Sequence, residues 1–396
     1  MSRSRRRAGA TSALVAALLA LVVDLGGASL AAPALGATGV VVDLPPGVPA
    51  PPKVRDVSWL IADADTGEVL AAKAPHARLL PASTAKVLTA LTLLPRIPPT
   101  TGHVTTVAET GADGTRVGLV AGLRYTARQL FLAMLMASAN DAAYALADIN
   151  GGHAATLVEM NALAARLGAH DTMIADPAGL DAPGQSSSAY DLALLGRAAL
   201  ADPDFREYST TLTARFPGKP PPTPTPGQRA ASPTARARSY QVQNHDKLLT
   251  TYPGAIGVKN GFTEAAQRTN IAAATRNGHT YIVTEMHSLD YGWVNPPKLL
   301  DWAFAYGTVV TPVGRLVDPG EVPLAPSHQP TPAPGAQGTG VAVVGARPAR
   351  PGPMVSIRWP ELSGAAVPYA GAGGLALGGL AIALVGRRAR RGARHR

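Results

Sequence analysis

The sequence predicts an α/β fold in which one antiparallel sheet is assembled from both ends of a domain, with a helical subdomain inserted between the two halves. Three observations carry that prediction. A β-hairpin pattern opens the region at 59–72, three strand patterns close it at 257–286, and the strong patterns between them have helical period. A site between such a sheet and such helices would draw residues from all three parts, in the cleft between subdomains.

Taken in order, residues 45–52 are proline-rich and read as a spacer. Residues 59–64 are strand-like, Asp65-Thr66-Gly67 is a turn and 68–72 is the returning strand. After Pro81, the residues Val87, Leu88, Ala90, Leu91, Leu93 and Leu94 follow with no charge among them, which predicts a helix apolar nearly all round and buried in the domain centre. Pro95, Pro98 and Pro99 break the chain, and short irregular or strand-like pieces run to Leu123. Thr126 and Gln129 make a capping box for a helix that is apolar through Met136 and ends at Ser138-Ala139-Asn140. Asp141 is placed to cap the next helix, through Ile149, and 153–167 is another, stopped by Gly168.

Residues 176–185 form a long structured turn, and Ser188 with Asp191 makes a second capping box, opening a helix to Ala201. Residues 217–237 carry seven prolines and predict a mobile surface excursion. Asn277-Gly278 is a strong hairpin turn signal, so it joins strands at 268–275 and 280–286, with a third strand at 257–263. Pro296-Pro297 opens a last helix with Leu299, Leu300, Trp302 and Phe304 apolar.

Charge is concentrated at the ends. The 396-residue chain carries +10, and Arg3, Arg5, Arg6 and Arg7 together with Arg387, Arg388, Arg390, Arg391, Arg394 and Arg396 account for the whole excess. The body is neutral, which argues against nucleic acid as a partner. Each basic end adjoins an apolar segment, and that pairing predicts a signal peptide at 1–34 and a transmembrane anchor at 365–385 with a basic cytoplasmic tail at 386–396. Between them lie a spacer (35–56), the main domain (57–316) and a Pro/Gly-rich stalk (317–364). The expected location is the extracytoplasmic face of the cell membrane. There is no cysteine, so disulfides and thiolate metal sites are excluded, and the nine histidines contain no His-Glu-x-x-His. No cofactor or metal is called for.

Three short motifs carry the chemistry. Ser83 and Lys86, three positions apart, share one helix face, and a lysine buried without a carboxylate loses affinity for its proton and can act as base toward the serine. Ser138-x-Asn140 sits where a helix ends, facing a cleft. Lys259-Asn260-Gly261-Phe262-Thr263 lies in a predicted strand, with Gly261 permitting close backbone approach. In isolation each is ordinary: a chance tetrad, a helix stop, a strand edge with a solvated lysine. Each pattern occurs once, and their order and spacing give them weight.

With these residues the chain resembles the penicillin-binding proteins and active-site serine β-lactamases, and most closely the D-alanyl-D-alanine carboxypeptidases. Ala62-Asp63-Ala64-Asp65-Thr66-Gly67-Glu68-Val69-Leu70, Val117-Gly118-Leu119, Ser138-Ala139-Asn140-Asp141-Ala142-Ala143, Gly179-Leu180-Asp181 and Ala189-Tyr190-Asp191-Leu192-Ala193 extend the likeness over roughly 57–306. The resemblance implies a β-lactamase/DD-peptidase-like fold and a serine carboxypeptidase acting on peptidoglycan stem peptides, with β-lactam antibiotics as acylating inhibitors. It implies Ser83 as nucleophile, Lys86 as base and Ser138 as proton relay to the departing D-alanine. Asn140 would hold the substrate amide and the lysine. The N–H groups of Ser83 and Phe262 would form the oxyanion hole, and Lys259 and Thr263 would receive the terminal carboxylate.

Asn260 departs from the family's usual threonine, and the family's frequent C-terminal β-sandwich has no evident counterpart. A β-lactamase of this fold would carry a deacylating glutamate in the helical section, where Glu159 and Glu207 are the only glutamates between Asp141 and Val258 and neither lies in a Glu-x-x-x-Asn pattern. A non-catalytic muropeptide-binding protein is the third reading.

Overall fold

The computed structural model describes residues 35, 38–218, 239–291 and 293–321. The predicted signal peptide, most of the proline-rich excursion, most of the stalk, the apolar span and the basic tail lie outside them. The first half of the sheet is β1 (Val40–Val42), β2 (Asp56–Asp63) and β3 (Glu68–Lys73). A 3₁₀ turn (Ala82–Thr84) leads into α1 (Ala85–Leu93), followed by β4 (Gly102–Val104), α2 (Val107–Thr110) and β5 (Arg124–Thr126). The helical section continues with α3 (Ala127–Met136), α4 (Asn140–Ile149), α5 (His153–Arg166), α6 (Ala189–Ala201) and α7 (Pro203–Thr210). Then come β6 (Thr213–Pro217), β7 (Ser239–Gln243), α8 (Leu248–Thr251), β8 (Ala255–Thr263), β9 (Gln267–Arg276), β10 (His279–Ser288), α9 (Asn295–Tyr306) and β11 (Gly314–Arg315).

The main sheet runs β1-β3-β2-β10-β9-β8, with β11 also on β3, and every pairing is antiparallel. Its two ends in sequence meet where β2 pairs with β10, Leu60 opposite Thr284. Helices cover both faces, so β2 is apolar on both. Leu60 and Ala62 join the core under the helical subdomain, while Trp59 and Ile61 join a second core with Leu299, Leu300 and Trp302 of α9. The β9–β10 hairpin turns through Asn277 and Gly278 at φ 52° and 81°, the left-handed pair a type I′ turn requires.

Helix α1 is buried on all sides except Leu91, as its uninterrupted apolar run predicts. The Thr126–Gln129 capping box forms with both arms. Two predicted caps differ. Asp141 does not cap α4, whose N-cap is Ala139, because its carboxylate instead accepts from the backbone N–H groups of Val117, Gly118 and Leu119 at 3.0–3.2 Å. Ser188 caps α6, but Asp191 does not reach back, because it accepts from Thr172 at 2.7 Å.

The folded body is longer than 57–316. Val40–Val42, inside the stretch read as spacer, pairs with β3, and Val317 packs against the main core. Pro217, the first residue of the predicted excursion, ends β6, which pairs with β7 in a two-stranded ribbon. Among the described residues no helix is long and apolar enough to cross a membrane.

Candidate active site

Ser83 sits in the 3₁₀ turn, two residues ahead of the first residue of α1, at the point where the helical subdomain meets the sheet edge. The turn is held tightly. Thr269 on β9 donates to Pro81 O at 2.7 Å, and Ala82 takes a left-handed φ of 48°, a strained conformation for a residue with a β-carbon. Gly179 presses on Ala82 from the other side, so close that a β-carbon there would stand 2.1 Å from Ala82 O.

Lys86 is fully buried and its Nζ meets three oxygens: Ser83 Oγ at 2.9 Å, Asn140 Oδ1 at 2.7 Å and Ala178 O at 2.5 Å. Burial holds its pKa well below the usual lysine value, and the charge of Lys259 adds to this against the opposing pull of Asp176 and Asp141. A neutral amine has two N–H bonds and one lone pair. Asn140 Oδ1 and Ala178 O have no proton to give, so they accept the two N–H groups, and the lone pair is left for the hydroxyl proton of Ser83. In that neutral form Lys86 has the geometry to accept the proton of Ser83.

Asn140 is fixed by backbone as well as by Lys86. Its Nδ2 donates to Asp113 O at 2.6 Å and its N–H to Thr115 O at 2.7 Å. Asp141 holds the same loop from the next position. Ser138 lies nearly buried in the break between α3 and α4 at φ 58°, the second strained residue of the site. No hydrogen bond joins Ser138 to Ser83 or Lys86 in this structure.

The third motif lies on β8, the free edge of the sheet. Gly261 faces the nucleophile, where a β-carbon would come 2.7 Å from Ser83 N. Lys259, on the same face, is 2% exposed rather than a solvated strand-edge lysine, and donates to Asn260 O at 2.7 Å. Burial brings its pKa down to about 7 against the pull of Asp246. Thr263 donates its hydroxyl to Asp181 at 2.9 Å. Asn260 and Phe262 belong to the opposite face of the strand and line a separate cavity.

The structure thus joins Ser83, Lys86, Asn140 and Gly261 by direct contact and places Lys259 near enough to lower the pKa of Lys86. Sequence reasoning missed the supporting residues. Ala178 O, Asp176 and Asp246 act from loops, where no periodicity marks them, although residues 176–185 are recognisable as a structured turn.

A serine in hydrogen-bond contact with a buried lysine, set between a sheet edge and an inserted helical subdomain, fits an active-site serine peptidase of the penicillin-binding fold. Comparison with known proteins narrows this. The model of peptidase family S11, D-alanyl-D-alanine carboxypeptidase, matches residues 47–288. The chain is 40% identical to the D-alanyl-D-alanine carboxypeptidase DacB2 of Mycobacterium tuberculosis over 255 residues, 63% of this chain and 82% of that protein. It is 30% identical to a D-alanyl-D-alanine carboxypeptidase of Streptomyces sp. strain K15, over 72% of this chain and 98% of that one. The crystal structure of a D-alanyl-D-alanine carboxypeptidase from M. tuberculosis H37Rv superposes with a TM-score of 0.63 at 37% identity, covering 70% of this chain and all of that one. The Streptomyces K15 DD-transpeptidase structure gives 0.57 at 27% identity, over 65% of this chain and all of that one. The chain belongs to the D-alanyl-D-alanine carboxypeptidase family and is a serine-type peptide hydrolase of it.

Proposed function

We propose that the protein removes the terminal D-alanine from peptidoglycan stem peptides through an acyl-enzyme on Ser83, and that penicillins acylate the same residue. The observation that carries this is the 2.9 Å contact between Ser83 Oγ and a lysine whose burial holds its pKa well below the usual lysine value. Lys86 takes the hydroxyl proton as Ser83 attacks the penultimate carbonyl. The N–H groups of Ser83 and Phe262, on either side of the Gly261 contact, receive the developing oxyanion. Ser138 returns the proton to the departing D-alanine nitrogen, and water then releases the acyl group. Lys259 supplies positive potential beneath the strand.

The β-lactamase reading lacks its deacylating base. Glu159 is engaged by Asn150 and Arg96, and Glu207 by Arg128. The muropeptide-binding reading has no reason for an intact serine–lysine pair. We further propose that the body works outside the cytoplasmic membrane, tethered by the C-terminal segment; the charge and hydropathy of the two ends support this.

The experiment is intact-mass analysis of residues 38–321 with a penicillin, and separately with a peptide ending in D-Ala-D-Ala, alongside Ser83→Ala. A stable penicilloyl adduct that Ser83→Ala abolishes, with release of one D-alanine, is the expected result. An adduct that clears quickly without peptide cleavage would transfer the assignment to a β-lactamase, and no reaction from folded protein would leave a binding module.

A further inference from the structure

The 176–185 turn gives Lys86 one of its three oxygens, Ala178 O, yet it belongs to none of the three motifs, and one side chain organises it. Asp176 accepts on Oδ1 from the N–H groups of Ala178 at 2.8 Å and Leu180 at 3.1 Å, bending the backbone around its own carboxylate. Gln185 braces the same residues, accepting from the N–H groups of Ala175 and Asp176 and donating to Leu180 O. Pro177 O accepts from Thr89 at 2.7 Å, and Thr89 lies three residues after Lys86 on the same face of α1.

The other carboxylate oxygen reaches out of the turn. Asp176 Oδ2 accepts from the hydroxyl of half-buried Tyr144 at 2.7 Å. Tyr144 stands four residues after Asn140 on α4, so the two share one face of that helix. Lys86 Nζ is therefore bracketed by an oxygen of α4, Asn140 Oδ1, and an oxygen of the turn, Ala178 O, while one helical turn further along α4 the same two segments are bonded directly to each other. Among the described residues no other hydrogen bond runs straight between α4 and 176–185. In the neutral form of the lysine these two acceptors decide where the lone pair points. A change in their separation turns it away from Ser83.

We propose that Asp176 and Tyr144 are positioning residues of the reaction, a clamp between the turn and α4 that keeps Asn140 Oδ1 and Ala178 O spaced to aim the Lys86 lone pair at Ser83. The inference rests on the reading of Ser83 as nucleophile and Lys86 as base. The carboxylate also brings a charge. Burial and the charge of Lys259 on β8 push the pKa of Lys86 down, while Asp176, and after it Asp141 on α4, pull it up. Tyr144 is itself faced by Asp113 and by the ring of His153, 4.4 Å away centre to centre.

Two variants separate the clamp from the charge. Tyr144→Phe removes one hydroxyl and leaves the carboxylate; Asp176→Asn keeps an acceptor for the two N–H groups and removes the charge. Hydrolysis of an N-acylated peptide ending in D-Ala-D-Ala, and acylation of Ser83 by a penicillin read by intact mass, are followed from about pH 5 to about pH 9, with a melting temperature for each protein. Tyr144→Phe should lower kcat and the acylation rate by about tenfold or more, with KM little changed and the acid limb where it is in wild type. Asp176→Asn should move that limb to lower pH, because Lys86 loses the nearby anion that favours its protonated form, so its activity relative to wild type rises as the pH falls. Unchanged kcat and acylation in Tyr144→Phe, or a loss confined to KM, would overturn the proposal, as would an acid limb in Asp176→Asn that does not move. If Asp176→Asn does not fold, Tyr144→Phe decides alone. Wild type that reacts with neither the penicillin nor the peptide would instead count against the reading of the active site on which the clamp rests.

Discussion

Gly261 packs so closely on Ser83 that a β-carbon at position 261 would stand 2.7 Å from the Ser83 backbone nitrogen, 2.5 Å from Thr269 Oγ1 and 3.0 Å from Ala82 Cβ. Two of these neighbours are rigid backbone or a β-carbon, and the third is pinned by its hydrogen bond to Pro81. Something must move. In Gly261→Ala the strand edge moves away from the serine, and the two N–H groups that are to hold the oxyanion separate. We expect kcat/KM on a D-Ala-D-Ala peptide to fall by about 10²–10³, the cost of losing one such donor. Overpacking should lower stability by about 1–3 kcal/mol. Kinetics and a denaturation curve on the same sample check both; a fully active variant would mean that the strand edge does not set the oxyanion geometry.

The lowered pKa values of the two buried lysines predict an unusual pH dependence of stability. Both have folded pKa values below the unfolded one, so over the interval between them the unfolded chain binds more protons. Stability then rises with pH. For Lys259 that interval begins at about 7 and ends near the ordinary lysine value. Each pH unit across it is worth roughly 1.4 kcal/mol. Calorimetry should show the melting temperature increasing from about pH 7 to about pH 9.5 in wild type, and increasing less in Lys259→Met. A falling melting temperature in wild type over that range would mean that the lysines are charged in the folded state.

The parts of this fold that were legible in the sequence are those whose signal is local. The Thr126–Gln129 capping box, Asn277-Gly278 and the uncharged run after Lys86 each act within a few residues, and each forms as read. What was not legible depends on contacts made across the chain. β1 and β11 are three and two residues long, too short for any period to show, and exist because β3 offers them an edge. Asp141 satisfies the local rule for a cap and breaks it because amides 117–119 arrive from elsewhere. In the site, Ser83, Lys86 and Asn140 could be picked out because their spacing is a pattern. Ala178 and Asp246 could not, since each acts from a loop with no spacing to mark it.

Asp141 leads to a further prediction. Its carboxylate accepts three loop N–H groups, and that loop in turn offers Asp113 O and Thr115 O to Asn140. Asp141→Ala leaves those amides without partners, at a cost of about 1–3 kcal/mol for each one that stays buried. It also frees the loop, so Asn140 loses its backing against Lys86. Both a lower melting temperature and a kcat reduced by about tenfold or more are expected, the latter as for a positioning residue one step from the chemistry. Asp141→Asn keeps the shape and two lone pairs, so it should recover part of each. If Asp141→Ala loses stability but keeps kcat, the loop does not position Asn140.

The last relationship couples Asp246, Lys259 and Lys86 in one chain of charges. Asp246, raised to about 6 by burial, is ionised at neutral pH and pulls the pKa of Lys259 up to its value of about 7. The charge on Lys259 in turn pushes the pKa of Lys86 down. Peptide hydrolysis needs Lys86 neutral and gains from Lys259 charged, so kcat/KM should fall on the acid side as Lys86 takes a proton and on the alkaline side as Lys259 loses one. Asp246→Asn removes the pull on Lys259, which then deprotonates at lower pH, and the alkaline limb moves down. With Lys259 neutral, Lys86 binds its proton more readily, and the acid limb moves up. The two shifts have opposite signs, so the bell narrows from both sides, as two coupled groups require. A pH profile of kcat/KM from about 5 to about 9 for wild type and Asp246→Asn measures this directly. If only the height of the profile changes, Asp246 acts through packing; if both limbs move together, the chain of charges runs through other groups.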